Sequence, residues 1–399
     1  MKIALVHNYY QQPGGEDVVF ASEKALLARY GQEVITFTEH NHHVRDMNLV
    51  SLAVNTIWST ETNRKLRAFL DRTGPDIVHF HNTFVRLSPS AYYACSETGI
   101  PVVQSLHNPR LLCPSANFYR RGRICEDCLA KTPPWPAVAH ACYRRSRSQS
   151  MVVAMMLTFH RWLKTWSERV RIYIAFTNFY RRKFIEGGLP RDKIFVKPHF
   201  VDPDPGPKER GAGDYALFIG RLDPEKGVRT LLRAWQQLKT IPLKIRGDGH
   251  LMAEVEDSVR EGHLTSVEIV PRLSKEALYT LIKGASFLVW PSEGLYETFG
   301  LVAIEAFACG VPVIASNLGV ASEIVKNERT GLLFAPGEPD DLAAKANRAW
   351  THPDEMGAMG REARREFESK YTAERNYEML IEIYQRALAQ AGDHDLDPL

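Results

Sequence analysis

The sequence has little net charge, few cysteines and no long apolar run, and each shortage removes a class of function. Lys and Arg total 50 against 47 Asp and Glu, leaving +3 over 399 residues. Bulk nucleic-acid binding is therefore not expected, and any basic partner surface must be local. A nucleic-acid module built on the cysteines and the run Arg144-Arg145-Ser146-Arg147 would leave half of the chain without a purpose. The longest apolar run, Met151 to Leu157, falls far short of the ~20 residues that cross a bilayer. The opening Met1 to Asn8 has too short an apolar stretch for a signal peptide and no small-residue cleavage site, so it reads as a buried strand. The expected location is cytoplasmic, with room for peripheral contact at the inner face of a membrane. Six cysteines in such a compartment should be reduced, which points to metal binding or free thiols rather than disulfides. No repeat of solenoid period and no low-complexity segment is present.

What is there is alternation. Short β-rich apolar runs alternate with helical patterns in both halves, as in parallel sheets covered by helices. The first half predicts strands at Ile3 to Val6, Glu33 to Thr36, Ile77 to Phe80, Val102 to Leu106 and Tyr173 to Phe176. The second predicts Ala216 to Ile219, Leu243 to Arg246, Ser266 to Val270, Phe287 to Trp290 and Val313 to Ala315. The expected fold is α/β, two Rossmann-like doubly wound domains over residues 1–200 and 201–371. A Pro/Gly-rich linker from Val201 to Pro207 marks the boundary. Residues 372–391 carry Tyr377, Leu380, Ile381, Tyr384 and Leu388 at the spacing of one helix face, predicting a closing helix that returns to the first domain; 392–399 should fray.

Ligands of open α/β sheets bind at the carboxyl ends of strands, so residues just past each strand carry the functional candidates. After the first strand, Gly14 and Gly15 form either a simple turn or a loop that lets backbone approach a phosphate. The first strand of the second half runs into Gly220-Arg221-Leu222-Asp223-Pro224-Glu225-Lys226-Gly227. Arg221 and Lys226 there could stabilise the charge developing on a diphosphate leaving group, unless Asp223 and Glu225 neutralise them in a surface turn. The densest group follows Trp290: Glu297 and Glu305 stand eight positions apart, with Phe299, Gly300 and Leu301 at the intervening helix start, whose first N–H groups can bind an anion. Helical side chains lean toward the N-terminus, so Glu305 can reach back to a ligand held there. Two carboxylates flanking one anion site suit a nucleotide sugar; solvated helix-end glutamates are the plainer alternative.

The Gly-Arg-x4-Lys-Gly stretch and the segment from Glu297 to Glu305, continuing Ala306-Phe307-Ala308-Cys309-Gly310-Val311-Pro312, resemble the family-four retaining glycosyltransferases of the GT-B fold over nearly the whole chain. The resemblance implies that Arg221 and Lys226 bind the donor diphosphate, Glu297 the donor sugar and Glu305 the ribose. It assigns Gly14 and Gly15 to a first-domain loop facing the diphosphate and His107 to the reacting centre. It further implies two domains facing a cleft, a hinge, no catalytic divalent metal, and front-face displacement without a covalent nucleophile. Gly247, in Arg246-Gly247-Asp248-Gly249, keeps the turn expected beneath the base, but Pro271-Arg272 replaces a glycine usual after the preceding strand, which weakens inference about the base. The expected activity is hexosyl transfer from a UDP- or GDP-linked donor to a glycan or lipid-linked acceptor in cell-surface polysaccharide synthesis. A nucleotide-sugar epimerase or hydrolase of the same fold is the alternative. His79 and His81 stand at a strand end on the acceptor side, with a structural role favoured for His79.

Two further expectations come from the residues alone. Cys113, Cys125, Cys128 and Cys142, in an insertion at about 108–145, are spaced for a structural zinc, with His140 as an alternative to Cys142. Reduced thiols or a redox or iron–sulfur role remain open on spacing. From Met151 to Ile172, apolar Val152, Met155, Met156, Phe159, Trp162, Leu163, Trp166 and Val170 recur at helical spacing, either as core or as a face resting on an anionic leaflet beside Arg144, Arg145 and Arg147.

Overall fold

The computed structural model describes residues 1–11, 14–42, 47–209, 211, 213–262, 264–295 and 297–392. Parallel strands buried on both faces need continuous apolar runs, and the sequence places them where the strands form. These are β1 (Lys2–Tyr9), β2 (Glu33–His40), β3 (Ile77–Asn82), β4 (Val102–Ser105), the short β5 (Tyr119–Arg120) and β6 (Arg123–Ile124), β7 (Ile172–Ala175) and β8 (Ile194–Val196). The second half adds β9 (Tyr215–Ile219), β10 (Leu243–Arg246), β11 (Val267–Val270), β12 (Ala285–Trp290), β13 (Val313–Ser316) and β14 (Gly331–Phe334).

The chain divides into two compact units, one holding residues 1–118, 126–197 and 377–399, the other 119–125 and 198–376. The first contains a six-stranded parallel sheet in the order β2-β1-β3-β4-β7-β8. Its strand order reverses at β1 and β3, the usual ligand position of such sheets. Central strands β3, β4 and β7 are wholly buried, while edge strand β2 is half-buried. The second unit repeats the plan in the order β11-β10-β9-β12-β13-β14, the order of dinucleotide-binding sheets, and reverses at β9 and β12. Its core gathers Phe218, Leu231, Trp235, Ile245, Phe287 and Leu342.

The closing helix runs Ala373–Gly392, and from Tyr377 onward it belongs to the first unit. Tyr377 stacks on Tyr30 at 4.0 Å and accepts a hydrogen bond from Gln32 Nε2 at 2.8 Å. Tyr384 is fully buried and its hydroxyl meets His79 Nδ1 at 2.7 Å. The Pro/Gly-rich stretch is not a loose tether. Asp204 pairs in bidentate fashion with Arg364, both bonds at 2.7 Å, and Lys275 and Lys283 donate to the carbonyls of Asp202 and Pro205. Those bonds fasten it to the second unit, so the contact division falls at Lys197 and Pro198, a few residues before the composition change.

The apolar residues expected between Met151 and Val170 divide over two faces. The helix Arg147–Trp162 buries Val153, Ala154, Met156, Leu157 and His160, while Met151, Met155, Phe159 and Trp162 are exposed. Trp166 and Val170 lie in the core. The single stripe read from spacing mixed these faces because both are apolar.

Candidate nucleotide-sugar site

In the second unit, three strand-end loops meet backbone to backbone, which glycine alone permits. A Cβ on Gly247 after β10 would sit 1.9 Å from the Gly220 carbonyl oxygen after β9. Gly227 has φ +70° and a Cβ there would meet the Pro291 oxygen at 1.8 Å, joining the β9 loop to the end of β12. Glu293 and Gly294 N–H groups then donate to the Glu225 carbonyl at 2.9 and 3.2 Å. The hairpin β5–β6 joins this rim: a Cβ on Gly294 would lie 3.3 Å from the Tyr119 ring, whose hydroxyl pKa is raised by burial and by Glu293 and Glu225. Spacing gave no sign that the insertion delivers an aromatic ring here.

The switch point brings Lys226 and Glu297 together, their side chains in direct contact and both largely buried. Glu297 lies in the loop before the helix Leu301–Ala308. Gly300 caps that helix with φ +95°, and a Cβ on it would strike the Trp290 ring at 2.2 Å, so glycine is required twice over. Leu301 opens the helix, whose first-turn N–H groups have no partners within it. Phe299 is a core residue, its ring 5.0 Å from His199 and 5.9 Å from Tyr371. Some of the buried polar atoms without a hydrogen-bond partner lie at these strand ends: Arg246 Nε at the end of β10, Trp290 Nε1 at the end of β12, and Ser292 Oγ and Glu297 Oε2 just after it. Such atoms in a folded protein call for a partner that the chain itself does not supply.

Arg221 is half-exposed and turned to two carboxylates, Asp223 at 2.7 Å and Glu225 at 3.5 Å. Burial alone would raise the Asp223 carboxyl, but the His250 hydrogen bond and the Arg221 charge outweigh it and hold it below the usual range. The neutralising turn weighed from sequence is therefore real for Arg221 and not for Lys226. Glu305 is partly buried one turn inside the helix; the loss of water around it pushes its carboxyl up to about 7, with Lys275 and Arg246 opposing. Arg272 is exposed.

The first unit presents a second polar group at its own strand ends. Gly14 precedes the helix Gly15–Arg29, its N–H donating to Asp17 Oδ2 at 2.8 Å, and Asp17 Oδ1 meets His7 Nε2 at 2.7 Å. Among the described residues nothing lies within 4 Å of a Cβ built on Gly15, and neither Gly14 nor Gly15 has positive φ. Neither fold nor packing demands glycine there. His107 is buried, with Nε2 3.0 Å from His81 Nδ1 and its ring stacked on that of His81. His81 Nε2 lies 3.5 Å from Glu23 Oε2, and Glu23 Oε1 accepts from Lys197 Nζ at 2.6 Å, both side chains fully buried. His79 is held by Tyr384 and Ser105, and burial pulls its pKa to about 4; burial likewise keeps His81 well below the usual histidine range. Both are thus neutral near pH 7. Between His81 Nδ1 and His107 Nε2 one nitrogen donates and the other accepts.

The cysteines are all free thiols. Among the described residues the donors that converge within 4.8 Å are Glu23, His79 and His81. Cys113, Cys128 and Cys142, the three cysteines of the proposed set in the first unit, do not form such a group; Cys113 Sγ bonds Ser115 Oγ at 3.2 Å and Cys128 Sγ faces the Pro134 carbonyl at 3.8 Å. Cys125 belongs to the hairpin of the second unit, where Arg120 Nε donates to it at 3.5 Å. The three first-unit thiols therefore do not by themselves converge on one point. Glu23 Oε1, both nitrogens of His79 and His81 Nδ1 are engaged by Lys197, Tyr384, Ser105 and His107, while Glu23 Oε2 and His81 Nε2 are buried without a hydrogen-bond partner.

Comparison with known proteins agrees with this geometry. The family model described as Glycosyltransferase Family 4 matches residues 8–205, and that described as Glycosyl transferases group 1 matches 205–366. An uncharacterized glycosyltransferase of Methanocaldococcus jannaschii is 34% identical over 175 residues, 43% of this chain and 49% of that one. The O-antigen chain mannosyltransferase C of Escherichia coli is 26% identical over 182 residues, 45% of this chain and 49% of its own. The chain thus spans about half the length of the curated relatives it matches. The crystal structure of Anabaena HepE in complex with UDP-glucose superimposes with a TM-score of 0.67 at 17% identity, covering 98% of this chain and 100% of the other. By its two tandem family matches and its two parallel sheets, the chain belongs to the group 1 glycosyltransferases and has the GT-B fold.

Proposed function

We propose that the protein is a retaining hexosyltransferase that uses a nucleotide diphosphate sugar, UDP- or GDP-linked, and transfers to a glycan or lipid-linked acceptor in cell-surface polysaccharide synthesis, without a catalytic divalent metal. The contact of Lys226 with Glu297 at the β9/β12 switch point carries this reading. A cation for the leaving diphosphate and a carboxylate for sugar hydroxyls stand side by side at a helix start. HepE, of the same fold, was solved with UDP-glucose. Arg221 would exchange its carboxylate partners for the diphosphate, and Glu305 would accept from the ribose hydroxyls. The acceptor oxygen bonds to the anomeric carbon on the face that the diphosphate leaves, its proton passing to a diphosphate oxygen. His107 would act near the reacting centre. The test is product analysis by NMR in excess chelator: an α-linked product from an α-linked donor supports retention and metal independence, and an inverted product or loss of turnover on chelation would refute them.

Gly15 gives a prediction that separates ligand binding from folding. Gly15→Ala places a methyl where the protein has open space and replaces a poor helix former, so thermal stability should hold or rise by up to about 1 kcal/mol. If the residue faces a phosphate, kcat/KM should fall at least about tenfold. An active, equally stable variant would make the loop a simple turn.

Glu305 sets a pH dependence. Its carboxyl stands at about 7 in the folded protein, above the ordinary value of 4.5, so between those values the folded form keeps a proton that the unfolded form releases. The stabilisation is complete below the ordinary value and is lost as pH rises through about 7. Ribose hydroxyls donate to the ionised form, so nucleotide affinity should be about tenfold lower at pH 6 than at pH 8. Glu305→Gln should flatten the profile, as measured by titration calorimetry; an unchanged slope in the variant would remove Glu305 as its source.

A further inference from the structure

Among the described residues, most of the large hydrophobic side chains exposed by a third or more fall in one region of the first unit. Leu49 is 79% exposed, Val50 74% and Val54 60%, all on the helix Leu49–Ile57, which carries no charged residue and fully buries only Thr56. The helix Arg147–Trp162 packs beside it, with His160 Nε2 2.7 Å from the Ile57 carbonyl oxygen and the Trp58 ring stacked on His160. That neighbour exposes Met151, Met155, Phe159 and Trp162, the last by 75%. These positions are spaced four, four and three apart, one face of a helix opposite to the face that enters the core. Trp135, 59% exposed, adds to it from the short helix Trp135–Ala139, which also packs on Arg147–Trp162. Single exposed apolar residues need no explanation, but a concentration of them on adjacent helices marks an interaction surface.

Charge says what the surface meets. Residues 128–167 contain no Asp or Glu and six cations, Lys131, Arg144, Arg145, Arg147, Arg161 and Lys164. Arg161 is spent on the carbonyls of Lys131 and Leu111, and Lys164 lies within 3.6 Å of Glu168, but Arg144, Arg145 and Arg147 are exposed just ahead of the helix. An apolar face edged by cations, with no carboxylate on the helix Leu49–Ile57 or in residues 128–167, is complementary to an anionic bilayer: aromatic and aliphatic side chains enter the acyl boundary and the arginines pair with phosphates. A second copy of the same surface would oppose cation to cation.

We propose that the helices Leu49–Ile57 and Arg147–Trp162 form a membrane-docking face that inserts Trp162, Met155, Leu49 and Val54 into an anionic leaflet, with Arg144, Arg145 and Arg147 on its headgroups. Among the described residues no helix is long and apolar enough to cross a membrane. The inference stands apart from the proposed transfer, because binding needs neither donor nor acceptor.

The test is sedimentation of the full chain with vesicles of phosphatidylcholine alone or with about 30 mol% phosphatidylglycerol. Binding should appear on the anionic vesicles in about 0.05 M salt, and weaken at least about tenfold in about 0.5 M salt. Met155→Ser with Trp162→Ser, and separately Arg144→Ser with Arg145→Ser, should each weaken it at least about fivefold while leaving the melting temperature within about 2 °C, since all four side chains are exposed. Absence of binding at low salt, equal binding to both vesicles, or full binding by both variants would overturn the proposal. So would a dimer, seen by light scattering, that the Met155/Trp162 pair abolishes.

Discussion

Glu23→Gln should lower the free energy of unfolding by about 3–5 kcal/mol at neutral pH, more than any exposed substitution in this chain. Glu23 and Lys197 are fully buried and 2.6 Å apart, and the substitution leaves an ammonium without its counter-charge. Coulomb attraction does not make such a pair a large net gain, because both ions were taken from water. What costs is breaking it. The double variant Glu23→Gln with Lys197→Met removes both charges and should recover most of the loss. Urea denaturation measures both; a single-variant loss under about 1 kcal/mol would show that the ammonium finds another partner. If His107 has its proposed role, the pair would also bear on function, since Glu23 lies beside His81 and His81 contacts His107. His81→Phe should therefore reduce kcat/KM while Glu23 and Lys197 stay paired.

Lys226→Ala should cut kcat by about 10²–10³, the usual effect of removing one fixed donor at a developing negative charge. Glu297→Gln should lower kcat/KM by at least about tenfold by weakening the grip on the sugar. Arg221→Ala should be milder, because Arg221 is half-exposed and already shared between Asp223 and Glu225. Lys226 and Glu297 are largely buried and paired, so each variant should also lose some stability, and turnover is compared below its melting temperature; retained turnover in both variants would move the chemistry elsewhere.

Ten strands were legible in the sequence because buried parallel strands are continuous apolar runs, and their ends shifted by only a few residues. The runs that were missed carry weak signals. β8 is three residues, Ile194-Phe195-Val196, and β14 opens on Gly331, which a propensity reading discounts. Yet glycine is needed there, since a Cβ would meet the Val313 oxygen at 1.9 Å. The second-unit site was legible because Lys226 and Glu297 each follow an apolar strand, and strand ends of a doubly wound sheet converge. The Glu23–Lys197 pair was not, being 174 residues apart with each residue looking like a solvated charge. The cysteine spacing gave no sign that Cys125 falls in one unit and Cys113, Cys128 and Cys142 in the other.

The most direct test of the proposed activity is a thermal-shift panel of nucleotide diphosphate sugars in chelator, run on wild type and on Lys226→Ala. One donor class should stabilise the wild type by about 2.7 kcal/mol at a hundred times its dissociation constant. The same donor should stabilise Lys226→Ala by markedly less. A wild type that responds to no nucleotide sugar, or a variant that responds equally, would contradict the assignment of this strand-end site to a sugar donor.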